Sequence, residues 1–319
     1  MEIGSFIELQ FPKGREYYRG ETDVARLNSG RAALLYAFRC TGCRALWLPY
    51  YQCDCVRDYL LRENCELKFY RIDERFDPID LTPAEDEAVL LVNYYGIMSR
   101  ERMTALAKPY RHVVIDNSQA FFAKPVKGAY NVCSVRKFVG APDGAYVIGP
   151  GAERFCGEYG QGVSSDTAVY LLERIEYGCE GKAYAARCRN EERLEREGVR
   201  RMSKLTRTIL DGTDYAAIIS KRRSNFAYAQ KLFGEENRLD PLRYYADDCV
   251  PMVYPLLIED DGLLQRLLDS KHFQGHWWSY LLKEMPEDSF EYYVSRYVIP
   301  ITIDQRYGRE ELDYIRSIV

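Results

Sequence analysis

Patterns typical of β-strands alternate with patterns typical of α-helices along the first half of this sequence. A short apolar strand pattern at Ala45 to Leu48 is followed by helical spacing from Cys53 to Glu63, and strand character returns at Leu67 to Tyr70. The same cycle of strand, helix and strand follows at residues 88 to 93, 100 to 108 and 113 to 115. Repeated units of this kind build a parallel sheet with helices on its faces. The alternation therefore predicts an α/β fold.

The second half of the sequence has a different character, which indicates a second domain. Residues 165 to 210 are rich in helical spacing and in charge, and glycine and aspartate interrupt the helices between residues 211 and 222. Helix and strand patterns are mixed beyond that segment. We therefore expect a large α/β domain at residues 1–215 and a small C-terminal α+β domain at residues 216–319.

The composition limits the classes of partner. The chain has 319 residues and a mass of 37.1 kDa, which fits a large domain plus a smaller one. Apolar residues make up 47% and charged residues 29%, as is typical of a globular protein. The net charge of -4 provides no broad basic field for nucleic acid or anionic lipid, so we expect no nucleic-acid partner and no membrane association.

The N-terminal segment and the apolar runs indicate the compartment. The first 18 residues lack the basic head, long apolar stretch and small-residue cleavage site of a signal peptide. Runs such as AVLLV at residues 88 to 92 are far shorter than a membrane span. We therefore expect a cytoplasmic protein.

Ten cysteines raise the question of disulfides or zinc. In an unexported chain of this size, cysteines are expected to be reduced and buried as small apolar residues. Cys40-x-x-Cys43 and Cys53-x-Cys55 invite a zinc interpretation, but no second ligand pair follows at zinc-finger spacing. We therefore predict no metal site.

Three polar sets fall where ligands bind in an open parallel sheet, beyond the carboxyl ends of strands or at the start of a helix. They are Asn28 to Arg31 before the helical AALLYAF, Asp116 with Gln119 after the apolar VVI, and Ser134 to Lys137 after a strand pattern. Each set has an ordinary alternative. The first could be a helix N-cap, Asp116 could cap a following helix, and Lys137 could be a surface lysine. A buried Asp116 would need a partner for its charge.

Taken together, these motifs resemble a known family. In chain order the segments that carry the resemblance are NSGRAALLYAF, LPYYQCDCV, VNYYG, IDNSQAFF, SVRKFVGAPDGAYVIG and VIPITIDQRYGREELDYI. The series is similar to the DegT/StrS-type enzymes that depend on pyridoxal 5'-phosphate (PLP), best known as sugar aminotransferases. The resemblance implies the fold-type-I architecture of aspartate aminotransferase, in which a three-layer α/β/α domain with a mostly parallel sheet carries a small C-terminal α+β domain.

The resemblance also implies roles for particular residues. Asp116 would pair with the protonated ring nitrogen of PLP, and Gln119 would hydrogen-bond the ring oxygen. Lys137 would bind the cofactor as a Schiff base and then move a proton between substrate carbon and cofactor. The catalytic residues implied are Lys137 and Asp116, and the cofactor-binding residues are Lys137, Asp116, Gln119, Ser29, Gly30, Arg31, Ser134 and Tyr51.

The sequence departs from the family pattern at three places. Val132 stands where the sugar aminotransferases commonly have a serine, and Ser134 is the nearest substitute. The spacing of the aromatic residue that stacks on the cofactor falls on Cys53, which leaves Tyr51 as the nearest aromatic candidate. The Gly-Tyr-Asn-x-Arg segment, which the second subunit contributes in the family, has no clear counterpart in residues 158 to 178.

The function implied is transfer of an amino group from glutamate or a similar amino acid to a keto sugar carried on a nucleotide, by a homodimer. Two alternatives stay open: a PLP-dependent dehydratase or lyase acting on a small molecule, and a PLP-binding sensor or partner protein without transaminase activity. Trp277 and Trp278 could line the acceptor entrance or could be core residues. Serine-hydrolase interpretations fail because the companion motifs are absent from the sequence.

Overall fold

The structure is a computed structural model that describes residues 3–179 and 181–319, and its main element is an eight-stranded sheet. The strands are β1 Val24–Leu27, β2 Ala45–Pro49, β3 Glu66–Ile72, β4 Pro78–Ile79, β5 Glu87–Val92, β6 Val113–Asp116, β7 Tyr130–Ser134 and β8 Ala145–Ile148. Their order across the sheet is β1-β8-β7-β6-β5-β2-β3-β4. The predicted α/β fold with a mostly parallel sheet is confirmed.

The parallel part of the sheet lies at its centre. Strands β3, β2, β5, β6 and β7 are parallel to their neighbours, whereas β8, β1 and β4 pair antiparallel. Val92 pairs with Asp116, and Asp116 pairs with Val132. The carboxyl ends of β5, β6 and β7 therefore lie side by side at one edge of the sheet.

Helices cover both faces of this sheet. They are α1 Gly30–Thr41, α2 Asp54–Arg62, α3 Arg100–Ala107, α4 Val169–Tyr177, α5 Lys182–Arg196, α6 Lys204–Asp211, α7 Tyr215–Phe233, α8 Leu263–Asp269, α9 Leu281–Glu284, α10 Phe290–Tyr297 and α11 Arg309–Ile318. Side chains alternate along β5, so Ala88 and Leu90 join the core under α1 and α2, while Val89 and Leu91 join the core on the other face. The result is three layers.

Helix α1 is buried along most of its length. Ser29 caps its first turn by accepting a hydrogen bond from the Ala32 N–H at 3.2 Å, and Gly42 ends it in the left-handed conformation with φ of 70°. Every residue from 32 to 38 is buried. A helix that is apolar all round belongs in a core, so α1 has its first turn fixed against the carboxyl edge of the sheet.

A second, two-stranded sheet lies in the C-terminal part of the chain. Strands β9 Val253–Leu257 and β10 Val298–Thr302 pair antiparallel, and α7 and α11 pack against each other beside them. The sequence predicted a helix only from Ser224, after a break at residues 211 to 222. This prediction was wrong in extent, because Asp214 accepts a hydrogen bond from the Ala217 N–H at 3.0 Å and so starts α7 rather than ending a helix.

The cysteines differ from the sequence expectation. All ten are free, but only Cys133 and Cys249 are buried, while Cys179 is exposed and the others are partly buried. Among residues 3–179 and 181–319, no group of three metal-ligating side chains could hold an ion. Over the same residues, no helix is both long and apolar enough to span a bilayer.

Candidate active site

The candidate site lies at the carboxyl ends of β6 and β7, against the first turn of α1. A Cβ atom built on Gly30 would lie 3.4 Å from the Ser118 hydroxyl oxygen and 3.6 Å from the Ser134 hydroxyl oxygen. The structure therefore brings two of the predicted polar sets together and adds Ser118. Two hydroxyls beside free N–H groups at a helix start form a place suited to a phosphate.

Asp116 is the buried carboxylate of the site. It is 4% exposed and accepts hydrogen bonds from the Gln52 side-chain amide at 2.9 Å and from the Ser118 N–H at 2.8 Å. No basic side chain in the described part of the chain forms an ion pair with it. Residues 117 to 122 form turns rather than a helix, so Asp116 does not cap a helix. The site thus holds a buried carboxylate that has donors but no cation.

Gln119 connects the turn after β6 to the segment after β5. Its side-chain oxygen accepts the Tyr95 N–H at 2.6 Å. Tyr95 has a φ of 58°, and a Cβ on the next residue, Gly96, would lie 2.4 Å from the Gln119 carbonyl oxygen. Only glycine fits at residue 96. Since the oxygen of the Gln119 side chain is already bonded, its NH2 group is the part that could serve a ligand.

Lys137 lies in the turn that follows β7, and its side chain is exposed. The sequence left open whether Lys137 was a site residue or a surface lysine, and in this chain its side chain is accessible. Its ammonium group lies close enough to Cys53 and Cys55 to favour their thiolate forms, although contact with Cys55 raises the pKa of Cys53 overall. The lysine is therefore positioned at the same edge as α1 and the loop before α2.

The first turn of α1 contributes a side-chain nitrogen that has no hydrogen-bond partner in the described part of the chain. The Nε atom of Arg31 is buried and has no hydrogen-bond partner among the residues described. The side chain of Ser29, by contrast, is occupied as the N-cap of α1. Arg31 thus offers a donor for an anion, whereas Ser29 contributes through the geometry of the helix start.

Tyr51 lies in an aromatic cluster rather than on an open surface. It is 1% exposed, its hydroxyl is 2.6 Å from the Tyr95 hydroxyl, and its ring meets Trp278 edge-on with centroids 4.3 Å apart. Burial raises the pKa of Tyr51 well above its usual value. Trp277 stacks on Tyr95 at 5.4 Å, so both tryptophans pack beside the candidate site and are partly buried.

Sequence reasoning missed Gln52, Ser118 and Arg222. Gln52 follows β2, whose carboxyl end lies at the same sheet edge, and this position was a usable signal. Ser118 lies between two residues that were identified. Arg222 follows no local pattern, since it lies in the middle of α7.

Arg222 connects the C-terminal part of the chain to the lysine turn. It is 2% exposed, and its guanidinium donates to the carbonyl oxygens of Met252 at 2.9 Å and of Lys137 at 3.3 Å. Gln305 accepts from Arg222 at 3.0 Å and donates to the Phe138 carbonyl at 2.8 Å. Burial lowers the pKa of Arg222 to about 10. The backbone that carries Lys137 is therefore held from outside its own turn.

Two cavities border these elements. One of about 310 Å³ lies between the loop before α2 and α9, and Gln52, Cys53 and Tyr280 are among its lining residues. The other, of about 650 Å³, follows α7, with Ser220, Lys221 and Gln305 in its lining. Both are large enough to admit small molecules to the surroundings of the site.

The segment at residues 158 to 178, where the family pattern has no counterpart, forms α4 after an extended stretch. None of the residues of α4 is buried in this chain. Its apolar side chains Val169, Leu172 and Ile175 are exposed, and Ile175 is 80% exposed. An amphipathic helix with an uncovered apolar face needs a partner surface.

Comparison with known proteins gives the fold. No protein-family model and no curated protein matches the chain by sequence. Among solved structures, the sugar aminotransferase CalS13 from Micromonospora echinospora is 17% identical with a TM-score of 0.64, covering 94% of this chain and 87% of CalS13. DesV from S. venezuelae is 17% identical with a TM-score of 0.60, covering 93% of this chain and 84% of DesV.

A dehydratase has the same architecture. The E. coli GDP-4-keto-6-deoxy-D-mannose-3-dehydratase, solved with bound hydrated PLP, is 14% identical with a TM-score of 0.63, covering 94% of this chain and 88% of the dehydratase. The likeness extends over nearly the whole chain, although the identities are low. The fold-type-I architecture predicted from the sequence is therefore confirmed: this chain folds as the sugar aminotransferase CalS13 and as DesV do.

Proposed function

We propose that this protein is a PLP-dependent aminotransferase that transfers an amino group from an amino acid such as glutamate to a keto sugar, with the sugar carried on a nucleotide. The observation that carries the proposal is the convergence of three groups at one sheet edge. These are the buried carboxylate of Asp116, the first turn of α1 at Gly30 and the accessible amine of Lys137.

The phosphate of PLP fits the first turn of α1. Gly30 leaves room beside the hydroxyls of Ser118 and Ser134, and the Arg31 Nε is a buried donor without a partner. Charge-assisted hydrogen bonds from such donors to an anion are about twice as strong as neutral ones. We assign phosphate binding to Gly30, Arg31 and Ser134, with Ser29 fixing the helix start and Ser118 as an addition.

Asp116 fits the ring nitrogen. A carboxylate within a few ångströms keeps a pyridine nitrogen protonated, because the opposite charge favours the charged form. Gln52 and the Ser118 N–H hold the carboxylate in place, and Gln119, whose side-chain oxygen accepts the Tyr95 N–H, would offer its NH2 group to the ring oxygen. When bound, PLP supplies an electron sink for negative charge at the substrate carbon.

Lys137 would carry the cofactor covalently and then move the proton at the substrate carbon. Both roles need an amine that is accessible and that is carried on a fixed backbone. The Lys137 side chain is exposed, and Arg222 fixes its backbone by donating to the Lys137 carbonyl. Tyr51 stays a proposed cofactor contact, through the aromatic cluster that it forms with Tyr95 and Trp278.

The substrate class is supported by the named structural neighbours. CalS13 is a sugar aminotransferase, which favours a sugar acceptor and an amino-acid donor. The structural similarity to the dehydratase supports one alternative, in which the same cofactor removes water from a small molecule. The missing Gly-Tyr-Asn-x-Arg segment is the reason for the other, a PLP-binding sensor without transaminase activity.

We also propose a homodimer in which the apolar face of α4 lies against the second copy. Val169, Leu172 and Ile175 are exposed on this helix, and contiguous exposed apolar side chains mark interaction sites. The division into domains at residues 1–215 and 216–319 is likewise part of this proposal, and α7 begins at that boundary. We propose a cytoplasmic location.

The decisive experiment is a visible absorption spectrum of the PLP-loaded protein, followed by borohydride reduction. Trypsin does not cleave at a modified lysine, so a pyridoxyl group on Lys137 would remain in the peptide from residue 137 to 154. We expect the label there, and we expect Lys137→Ala to lose it. Lys127→Ala, which changes another exposed lysine, is the matched control and should keep it.

Addition of glutamate then separates the alternatives. A donor-dependent loss of the cofactor's visible band, restored by a nucleotide keto sugar, supports transamination. An unresponsive band favours the sensor, and turnover of the keto sugar without a donor favours the dehydratase. A label on a different lysine contradicts the site assignment.

A further inference from the structure

Two cysteine thiols lie against each other at the edge of the candidate site. Cys53 immediately precedes α2 and Cys55 lies in its first turn, with the two sulfur atoms 2.7 Å apart. Both are free and partly buried. The residues are separated only by Asp54, whose carboxylate accepts the Cys55 N–H at 2.8 Å. The helix start therefore holds the two thiols in contact.

The two thiols differ in charge environment. The hydrogen bond from Cys53 is the largest effect that lowers the pKa of the Cys55 thiol, and burial opposes it. The cations of Arg31 and Lys137 lower it further. The same contact raises the pKa of Cys53. The Cys53 thiol also donates to the Asp54 carboxylate at 3.6 Å, so we take Cys53 as the protonated member of the pair and Cys55, beside the two cations, as its nucleophile.

One thiol of the pair faces a cavity. Cys53 and Gln52 line the cavity of about 310 Å³ next to α2. The cavity is bordered by Tyr280 and by Arg57, whose guanidinium lies 4.8 Å above the Tyr280 ring. Cys55 does not line this cavity, but it is only partly buried and its sulfur lies 2.7 Å from that of Cys53. A small peroxide therefore has a route to the edge of the pair without unfolding of the helix.

Two other cysteines, Cys133 and Cys249, lack the accessibility of the pair. Burial raises the pKa of Cys133 to about 12 and that of Cys249 to about 11, and both are inaccessible. In each case the dominant cause is removal of the thiol from water. These two residues behave as inert buried thiols, so they are internal references for the reactivity of Cys55.

We propose that Cys53 and Cys55 form a peroxide-reactive dithiol that closes to an intramolecular disulfide at the edge of the candidate active site. The Cys55 thiolate attacks the O–O bond of a hydroperoxide, which gives a sulfenic acid and an alcohol or water. The Cys53 sulfur then attacks the Cys55 sulfur, and water leaves with the hydroxyl group and the Cys53 proton. The two thiols lose two electrons, and the peroxide gains them.

Closure of the disulfide affects the groups that hold Asp116. The Cys53 N–H donates to the Gln52 side-chain oxygen at 3.0 Å, and the Gln52 amide donates to Asp116 at 2.9 Å. Drawing the sulfurs to a bond length of about 2.05 Å moves this loop, and oxidation removes a negative charge beside Lys137. This consequence rests on the proposed function, and it predicts reversible loss of activity on oxidation.

The modification itself is measured by mass spectrometry on the whole chain. Trypsin releases residues 45 to 57 as one peptide, ALWLPYYQCDCVR, which contains Cys53 and Cys55 and no other cysteine, while Cys40 and Cys43 fall in the peptide from 40 to 44. After treatment with hydrogen peroxide and then iodoacetamide, we expect the 45–57 peptide to be unalkylated and lighter by two hydrogen atoms. Dithiothreitol should restore double alkylation.

Two variants test the order of events. In Cys53→Ser, Cys55 should stop at the sulfenic acid, which dimedone traps. In Cys55→Ser, no disulfide can form in the 45–57 peptide, and the remaining Cys53 should react with peroxide more slowly than Cys55 does in Cys53→Ser. Cys43→Ser, which changes a partly buried cysteine outside the pair, is the matched control and should leave the 45–57 peptide unaffected.

The proposal is overturned if the 45–57 peptide remains fully alkylatable under peroxide, or if Cys55 is alkylated no faster than the buried Cys133 and Cys249. Both readouts work in cofactor-free protein, so they do not depend on PLP binding. If the disulfide forms but no PLP is bound, the dithiol stands and the proposed enzyme function fails. If PLP binds at Lys137 while the thiols stay inert, the dithiol proposal fails and the proposed enzyme function stands.

Discussion

The guanidinium of Arg222 donates a hydrogen bond of 3.3 Å to the backbone carbonyl of Lys137. The two residues are far apart in the sequence, and Arg222 also donates to the Met252 carbonyl at the start of β9. The Arg222 guanidinium also lies over the Phe138 ring, with its central carbon 4.4 Å from the ring centroid. One buried cation thus connects the lysine turn to the C-terminal sheet.

We expect Arg222→Met to reduce turnover and stability together. The change leaves the buried Pro251 carbonyl oxygen and the partly buried carbonyl oxygens of Lys137 and Met252 without their donor, which costs about 3 kcal/mol of unfolding free energy. Arg222→Lys should recover only part of it, because an ammonium lacks the planar fork. Urea denaturation measures the free energy of unfolding.

The control for this prediction is the neighbouring Arg223→Met. Arg223 bonds the Cys249 carbonyl at 3.0 Å from a partly buried position, so its loss should cost less than about 1 kcal/mol. Turnover is compared at a temperature where every variant is folded by circular dichroism. A positioning role for Arg222 predicts a fall in kcat with KM little changed, and equal kcat in folded Arg222→Met and wild type contradicts it.

Asp116→Asn tests the charge at the ring nitrogen. The asparagine oxygen can still accept the Ser118 N–H, but its NH2 group cannot accept from the Gln52 amide, so we expect a folded protein that is less stable by about 1 kcal/mol. Without the carboxylate the electron sink weakens, and kcat should fall by about two orders of magnitude or more while KM changes less. Steady-state kinetics with donor and acceptor measure this. Near-normal turnover of the variant would show that Asp116 has only a structural role.

Glu87 gives a pH-dependent contribution to stability. Its side chain accepts hydrogen bonds from Lys68 at 2.6 Å and from the Trp47 indole at 2.7 Å, and these donors lower its pKa from 4.5 to about 2. A carboxyl group whose pKa is lower in the folded state stabilises the fold above its unfolded pKa. The stabilisation is lost as the pH falls from about 4.5 towards 2.

We therefore expect Glu87→Gln to lower the free energy of unfolding by about 1–2 kcal/mol at pH 7; this figure is reduced for solvent screening, because Lys68 is partly exposed. The difference from the wild type should shrink as the pH falls towards 3. Urea denaturation at both pH values is the measurement. Glu66→Gln is the control, because the Glu66 side chain is 54% exposed and pairs only at the surface with Arg44. A pH-independent difference for Glu87→Gln would contradict the assigned cause.

Ile175→Glu tests the proposed homodimer. Ile175 is 80% exposed in the single chain, so a glutamate there costs the isolated chain little, but it would bury a charge in an α4 interface. We expect a dimer that dissociates to monomer in the variant, measured by analytical ultracentrifugation. Glu176→Gln, on the adjacent residue of the same helix, should remain dimeric. A wild-type monomer at micromolar concentration would count against shared active sites.

Local patterns in the sequence were sufficient to predict most of the secondary-structure elements and those site residues that lie within one turn of each other. Strand and helix periods gave β2, β5 and β6 within a residue of their observed bounds, and β1, β4, α9 and α10 were missed. Asp116 and Gln119 were identified because they follow one strand. Ser29 and Gly30 were identified because a helix start has its own residue preferences.

Only the tertiary structure decided which distant groups meet. The order β6-β5-β2 brings Gln52 to Asp116 across 64 positions of sequence, and α7 brings Arg222 to Lys137 across 85. The family spacing of the stacking residue fell on Cys53 and left Tyr51 as the nearest aromatic candidate, but the chain buries the Tyr51 ring against Trp278 and places Cys53 near Lys137. The physical reason is that secondary structure follows from local periodicity, whereas the sheet order and the packing of the C-terminal part are set by burial of the whole core, which no short segment encodes.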